Sequence, residues 1–265
     1  MSARYPERIV CLTEETTETL YLLGEERRIV GISGYTVRPP RARREKPRIS
    51  AFLSAKNDAI LALKPDLVLG FSDLQADIVR DLAKAGLNVV LFNQRSVDEI
   101  LSMVLMLSSM VGATDRGQRL VDELQRNIDA VHAAAQRLPR RPRVYFEEWD
   151  EPMISGIRWV SELVEIAGGE DIFTELSRSQ AATGRIVAPE AVVNKAPDIM
   201  VASWCGKKFR PERVRTRAGW ETVPAVRDGE LHEIKSAEIL QPGPAALTDG
   251  VRRLHEIISG WGGGR

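Results

Sequence analysis

Short apolar runs alternate along this chain with segments whose apolar residues recur every three or four positions, the pattern of strands and amphipathic helices in βα units. Two stretches are near copies: Ala59-Ile60-Leu61-Ala62-Leu63-Lys64-Pro65-Asp66-Leu67-Val68-Leu69 and Ala191-Val192-Val193-Asn194-Lys195-Ala196-Pro197-Asp198-Ile199-Met200-Val201. In each, a helix closes before proline, which lacks an N–H and pushes its predecessor out of the α region, and an apolar strand starts after the aspartate. The repetition predicts an α/β protein of two related lobes with a ligand crevice between them.

The first lobe, residues 1–113, opens with a strand over 8–12. A helix follows, with Thr13 as its N-cap and Glu14 and Glu15 placed to stabilise its positive end, and it stops at Gly24. A strand over 29–32, a long loop over 33–50, a short helix capped by Asn57 and a strand over 67–69 come next. A helix through Ile78, Val79 and Leu82 ends at Gly86, and 89–92 is another strand. Ser96-Val97-Asp98-Glu99 has the form of a capping box and starts a helix ending near Gly112. Over 114–138, Leu120, Leu124, Ile128, Val131, Ala135 and Leu138 form one stripe on a single connecting helix of about 36 Å. So stiff a connector predicts small closure. The second lobe, 139–265, carries a strand over 143–147, a helix from Trp159 to Ala167 stopped by Gly168-Gly169, the Pro-Asp unit, a strand over 231–234 and a closing helix over 244–261. The tail Gly262-Gly263-Gly264 is expected to be mobile.

A chain of 265 residues can bury roughly 70–75% of its unfolded surface without disulfides or metals. Its 37 basic residues balance 37 acidic ones, so no global field recruits nucleic acid. The local exception, Arg38, Arg41, Arg43, Arg44, Lys46 and Arg48 among three prolines, reads as a solvated loop. Cys11 lies in an apolar strand and reads as a buried, inert thiol. Met1 leads directly into the first strand with no export signal, and the nearly apolar run from Ile100 to Val111 is about half of what a bilayer span needs.

The chain contains no phosphate-binding Gly-rich Lys loop, dinucleotide fingerprint, nucleophile elbow or two-histidine metal helix. His132, His232 and His255 are scattered, so no metal site is expected, and a binding module is the default over an enzyme. The best candidate nucleophile, Cys205 beside Lys207 and Lys208, lacks a nearby histidine. Chemistry-bearing groups fall instead at strand ends: Gly34-Tyr35, Phe71-Ser72-Asp73 and Phe92-Asn93-Gln94-Arg95 in the first lobe, Glu147-Glu148-Trp149-Asp150 and Ser203-Trp204-Cys205-Gly206-Lys207-Lys208 in the second. Trp149 and Trp204 admit two roles, ligand contact and capping of the local core; Trp159 is a core residue. The expected ligand-contact set is Glu15, Tyr35, Phe71, Trp149, Asp150, Arg158 and Trp204.

Arg8-Ile9-Val10-Cys11-Leu12, Glu18-Thr19-Leu20-Tyr21-Leu22-Leu23-Gly24, Val30-Gly31-Ile32-Ser33, Lys64-Pro65-Asp66-Leu67-Val68-Leu69-Gly70, Ile154-Ser155-Gly156, Ala167-Gly168-Gly169-Glu170-Asp171-Ile172-Phe173 and Ala196-Pro197-Asp198-Ile199, in this order, resemble the substrate-binding proteins of ABC importers for cobalamin and iron–siderophores, most closely the BtuF-like type. The resemblance implies two Rossmann-like lobes joined by one long helix. It implies a non-catalytic, monomeric binder of a bulky metal chelate, cobalamin or another corrinoid, which docks on an ABC permease. A ferric siderophore or haem is the alternative ligand, with Arg95, Arg158, Lys207 and Lys208 as cationic anchors. Such proteins are normally exported; the absent signal leaves a cytoplasmic sensor or carrier as an alternative role. Relatives carry an aromatic residue in the loop before the second Pro-Asp helix, where Gln180-Ala181-Ala182-Thr183-Gly184-Arg185 supplies none. They dock through a glutamate on each lobe; Glu212 matches in the second, while the first offers Asp73 and Asp77.

Overall fold

The computed structural model describes residues 4–51, 54–55 and 57–262. Most of the glycine tail expected to be mobile, and the first three residues, lie outside the described residues. The chain divides into two compact units, one running to Gln94 and resuming over Asp98–Leu124, the other formed by Arg95–Val97 and the chain from Gln125 onward.

The first unit is a sheet in the order β4-β3-β2-β1-β5-β6, built from β1 (Ile9–Cys11), β2 (Ile29–Ser33), β3 (Arg48–Ala51), β4 (Ser54–Ala55), β5 (Leu67–Phe71) and β6 (Val89–Phe92). All pairings are parallel except that of β4 with β3. Val10, Leu12, Ile49, Ile60, Val68 and Leu82 form a buried cluster within this unit. The second unit's sheet runs β11-β10-β7-β8, from β7 (Arg143–Asp150), β8 (Met153–Ser155), β10 (Ile199–Ala202) and β11 (Leu231–Glu233), with β9 (Glu170–Asp171) also paired to β7. Helix Thr114–Ala135 is continuous and passes from the first unit into the second, with Leu124, Ile128, Val131 and Ala135 buried along one stripe. It ends three residues before the expected boundary, in a turn ahead of Pro139.

The duplicated segment has a structural cause beyond its proline. Lys64 (φ 47°) and Ala196 (φ 43°), each directly before proline, adopt the left-handed conformation that closes a helix. The aspartate after each proline then anchors the neighbouring strand. Asp66 accepts the backbone N–H groups of Glu7 and Arg8 at 2.8 and 2.9 Å, and Asp198 accepts that of Arg143 at 2.8 Å. The motif therefore aligns the amino ends of paired strands in both units, β1 with β5 and β7 with β10.

Three expectations are corrected. The stretch 33–50 is not a loop throughout: it holds a short helix, Ala42–Glu45, and β3 begins at Arg48. Ala42 and Ile49 are its buried anchors, and two members of the basic run are paired, Arg38 with Glu18 and Arg41 with Glu26 and the Tyr21 ring, while Arg43, Arg44 and Arg48 are exposed; the Tyr21 hydroxyl donates to Glu45. Strand β7 continues through Asp150 because it folds back on β8 as an antiparallel hairpin. In the closing helix, residues Ala246–Gly250 form a π-turn before the α-helix Val251–Gly260, and the Asn127 amide donates to the Leu247 carbonyl at 2.5 Å. Gly250 sits where a Cβ would lie 2.4 Å from the Glu238 carbonyl oxygen. Gly250→Ala is therefore expected to cost about 1–3 kcal/mol in urea unfolding, because the obstacle is backbone and cannot rotate away.

Candidate functional site

In open α/β sheets ligands bind beyond the carboxyl ends of the parallel strands, where the strand order reverses direction. In the first unit that point lies beside β1, flanked by β2 on one side and β5 on the other. The residues leaving β1 start helix Glu14–Leu22, whose first eight residues are all buried although six of them are Glu or Thr. The Thr13 side chain does not cap this helix; its hydroxyl donates to Glu15 Oε1 at 2.5 Å. Glu15 Oε2 has no hydrogen-bond partner, and burial pushes the Glu15 carboxyl up to about 7. Glu14 accepts the Val37 N–H at 3.2 Å, and burial, with the Glu18 charge adding to it, pushes this carboxyl up to about 7 as well. Burial likewise pushes the Cys11 thiol up to about 12, which makes it inert.

The remaining strand ends separate the expected contacts. Tyr35, after β2, is 57% exposed and available to a ligand. Phe71 is the last residue of β5 rather than part of a loop, and its ring is buried. The apolar group that this strand end presents to solvent is Leu74, 62% exposed, which sequence reasoning passed over. Its signal was a lone leucine between Asp73 and Gln75 in an otherwise polar turn. Ser72 there holds φ 71° and ψ 156°, a strained backbone for a residue with a Cβ, and it is fixed from several sides. Its N–H donates to the Phe92 carbonyl, its hydroxyl accepts from Leu74 N–H, and buried Gln75 accepts from Phe71 N–H.

In the second unit the carboxyl ends of β7 and β10 carry a dense polar array. Glu147, fully buried, accepts from the Tyr145 hydroxyl at 3.0 Å and from Trp204 Nε1 at 2.9 Å, and binds Arg217 through two guanidinium nitrogens at 2.6 and 2.8 Å. Burial, with the Glu147 charge beside it, pushes the Tyr145 phenol well above its usual range. Trp204 is itself buried and meets Phe209 edge-on with ring centroids 5.1 Å apart, so core capping describes it. Trp149 differs. It is half-buried on the β7–β8 hairpin, its Nε1 donates to the Glu151 carbonyl at 2.9 Å, and the Lys207 ammonium lies 3.7 Å from its ring centroid.

Asp150 is buried between two cations, Lys207 at 2.8 Å and Arg213 at 2.9 Å. Burial alone would raise its carboxyl, but the hydrogen bond and charge of Lys207, joined by Arg213, hold it below the usual carboxylate range. Arg158 opens helix Arg158–Ile166 and is engaged with Glu162 at 2.9 Å. Arg185, from the loop without an aromatic, is 2% exposed; it pairs with Glu148 at 2.5 Å and donates to the Ser155 carbonyl at 2.6 Å. Cys205 is exposed after β10. Each histidine has its own partner: His132 with Gln136, His232 with Glu230 and His255 with the Ala167 carbonyl. Among the described residues no group of three or more His, Cys, Asp or Glu is placed to hold a metal ion, and no helix is long and apolar enough to cross a membrane.

A family model described as periplasmic binding protein matches residues 9–238. The chain belongs to the periplasmic binding protein family. Membership makes it a non-catalytic, substrate-binding protein. The chain is 24% identical over 248 residues to the vitamin B12-binding protein of Vibrio vulnificus strain YJ016, covering 91% of this chain and 86% of that one. It is also 24% identical over 263 residues to an uncharacterized ABC transporter substrate-binding lipoprotein, YvrC, of Bacillus subtilis, covering 96% of this chain and 80% of the other. Among solved structures, the periplasmic haem-binding protein RhuT of Roseiflexus sp. RS-1 superposes with a TM-score of 0.81 at 22% identity, covering 95% and 99% of the two chains. The vitamin B12-binding protein BtuF of Vibrio cholerae does so with a TM-score of 0.76 at 22% identity, covering 97% and 98%. At this identity the structures establish the fold of the family.

Proposed function

We propose that this family member binds a corrinoid, cobalamin or a close relative, and delivers it to an ABC importer. The observation that carries the reading is Trp149, a half-buried indole on the carboxyl end of β7 whose ring accepts a cation on one face, in a chain that aligns nearly end to end with vitamin B12-binding proteins. A flat, weakly polar macrocycle rimmed by hydrogen-bonding side chains suits such a surface, with rings supplying area and neighbouring polar groups supplying orientation. Tyr35 and Leu74, both exposed at first-unit strand ends, are proposed as further contacts, and Phe71, Trp204 and Arg158 as supporting residues. Surface acids Asp77 and Glu212 are the proposed contacts for the permease.

A haem or ferric chelate is the second reading, supported by the likeness to solved haem-binding proteins and by the cationic side chains around β10. The test is titration of the protein with cyanocobalamin, followed by equilibrium dialysis so that light absorption by the corrin does not interfere. Saturable binding by the wild type, weakened about tenfold to a hundredfold in Trp149→Ala, is expected. Unchanged affinity in that variant would remove the indole from the site.

A further inference from the structure

We propose that Lys207 is an exchangeable cap on Trp149 that leaves the ring to engage an anionic oxygen of the ligand, the phosphodiester of a complete corrinoid. The inference rests on the corrinoid reading and adds the group that is recognised. It begins from the charges around Asp150. This carboxylate is 3% exposed in its side chain and so requires a cation, yet it has two: Lys207 on one oxygen and Arg213 on the other. Arg213 also approaches Glu151 at 3.5 Å, but Glu151 is 80% exposed and needs no cation there. One cation suffices for Asp150, and the other is surplus.

Lys207 is the one that can leave. It sits in the turn after β10 and its ammonium makes a point contact on a flexible stem, whereas Arg213, 49% exposed against 40% for Lys207, presents a planar fork that also lies over the Trp204 ring. The neighbouring carboxylate pairs hold their cations elsewhere. Glu147 is bound by Arg217, Glu148 by Arg185 and Glu233 by Lys235. Its departure would uncover the face of Trp149 on which the ammonium now lies at 3.7 Å. A ring stacking on that face and an anion meeting the displaced ammonium would then be recognised together. The stacking surface and the charge come from adjacent groups, and the cation–π and ion-pair contacts given up are replaced by equivalent ones with ligand.

The test uses the full chain as wild type, Lys207→Met and Lys207→Arg, with three probes in equilibrium dialysis. Cyanocobalamin carries the phosphodiester, dicyanocobinamide lacks it, and haemin offers carboxylates instead. Lys207→Met should weaken cyanocobalamin about tenfold or more and leave dicyanocobinamide within about twofold, while Lys207→Arg restores most of the loss. A charge-dependent loss confined to haemin would overturn the phosphodiester assignment and point to a carboxylate as the anion, with the corrinoid reading left standing. Equal effects on both corrinoids, or none on either, would overturn the proposal and leave the corrinoid reading standing. Wild-type protein that retains none of the three probes would overturn both.

Discussion

Arg217→Met is expected to destabilise the second unit by about 3–5 kcal/mol, because it leaves Glu147 buried without its cation. Glu147 is completely inaccessible, and the Tyr145 and Trp204 donors that remain are neutral groups that cannot replace a bidentate guanidinium. Glu147→Gln should cost a similar amount by stranding Arg217, whose side chain is 16% exposed and lies over the Trp220 ring. The double variant, with both charges removed, should cost less than the sum, since neither charge is then left alone. Tryptophan emission in urea measures this cleanly, as all five tryptophans, at 149, 159, 204, 220 and 261, belong to the second unit. Additive losses in the double variant would mean that Glu147 and Arg217 are not the energetic pair that their geometry describes.

The second large effect is a dependence on pH in the first unit. Glu14 and Glu15 hold their protons up to about pH 7 in the folded chain, against 4.5 for an ordinary glutamate, and burial is the main cause for both. The folded state therefore binds more protons than the unfolded one across this interval. The contribution to stability is full below about pH 4.5, falls as pH rises, and is lost above about 7, at about 3 kcal/mol for each carboxyl. The two are adjacent and titrate as a pair, so the loss belongs to the pair. Glu15→Gln should flatten the decline in thermal stability between pH 5 and 7.5, read by far-ultraviolet circular dichroism because the tryptophans do not report on this unit. Parallel profiles for wild type and variant would show that Glu15 ionises freely in the folded chain.

Much of the fold could be read from the chain because its signals are local. The Pro-Asp copies and the three-four stripe of the long helix are written in contiguous residues, and the structure adds the left-handed turns at Lys64 and Ala196 and the strands that Asp66 and Asp198 fasten. The stretch 33–50 resisted because a single buried isoleucine, Ile49, and a single buried alanine, Ala42, anchor it, too few to make a period. The candidate site was legible in its address, at the strand ends, and much less so in its members. Whether an aromatic there faces solvent depends on partners distant in sequence. Trp204 is covered by Phe209 and bonded to Glu147, 57 residues earlier, whereas Trp149 keeps an accessible ring because the β7–β8 hairpin lifts it to the surface. Leu74 escaped for the converse reason: it stands exposed in a turn that follows the positive-φ backbone of Ser72, which no composition pattern announces.

The central claim, that the chain is a corrinoid carrier, is tested most directly by dialysing the purified protein against cyanocobalamin and reading the visible spectrum of the retained fraction. The account predicts retention of one corrinoid per chain, with a dissociation constant of about 1 μM or tighter. Failure to retain corrinoid at about 100 μM, under conditions in which haemin or a ferric siderophore is retained stoichiometrically, would contradict it.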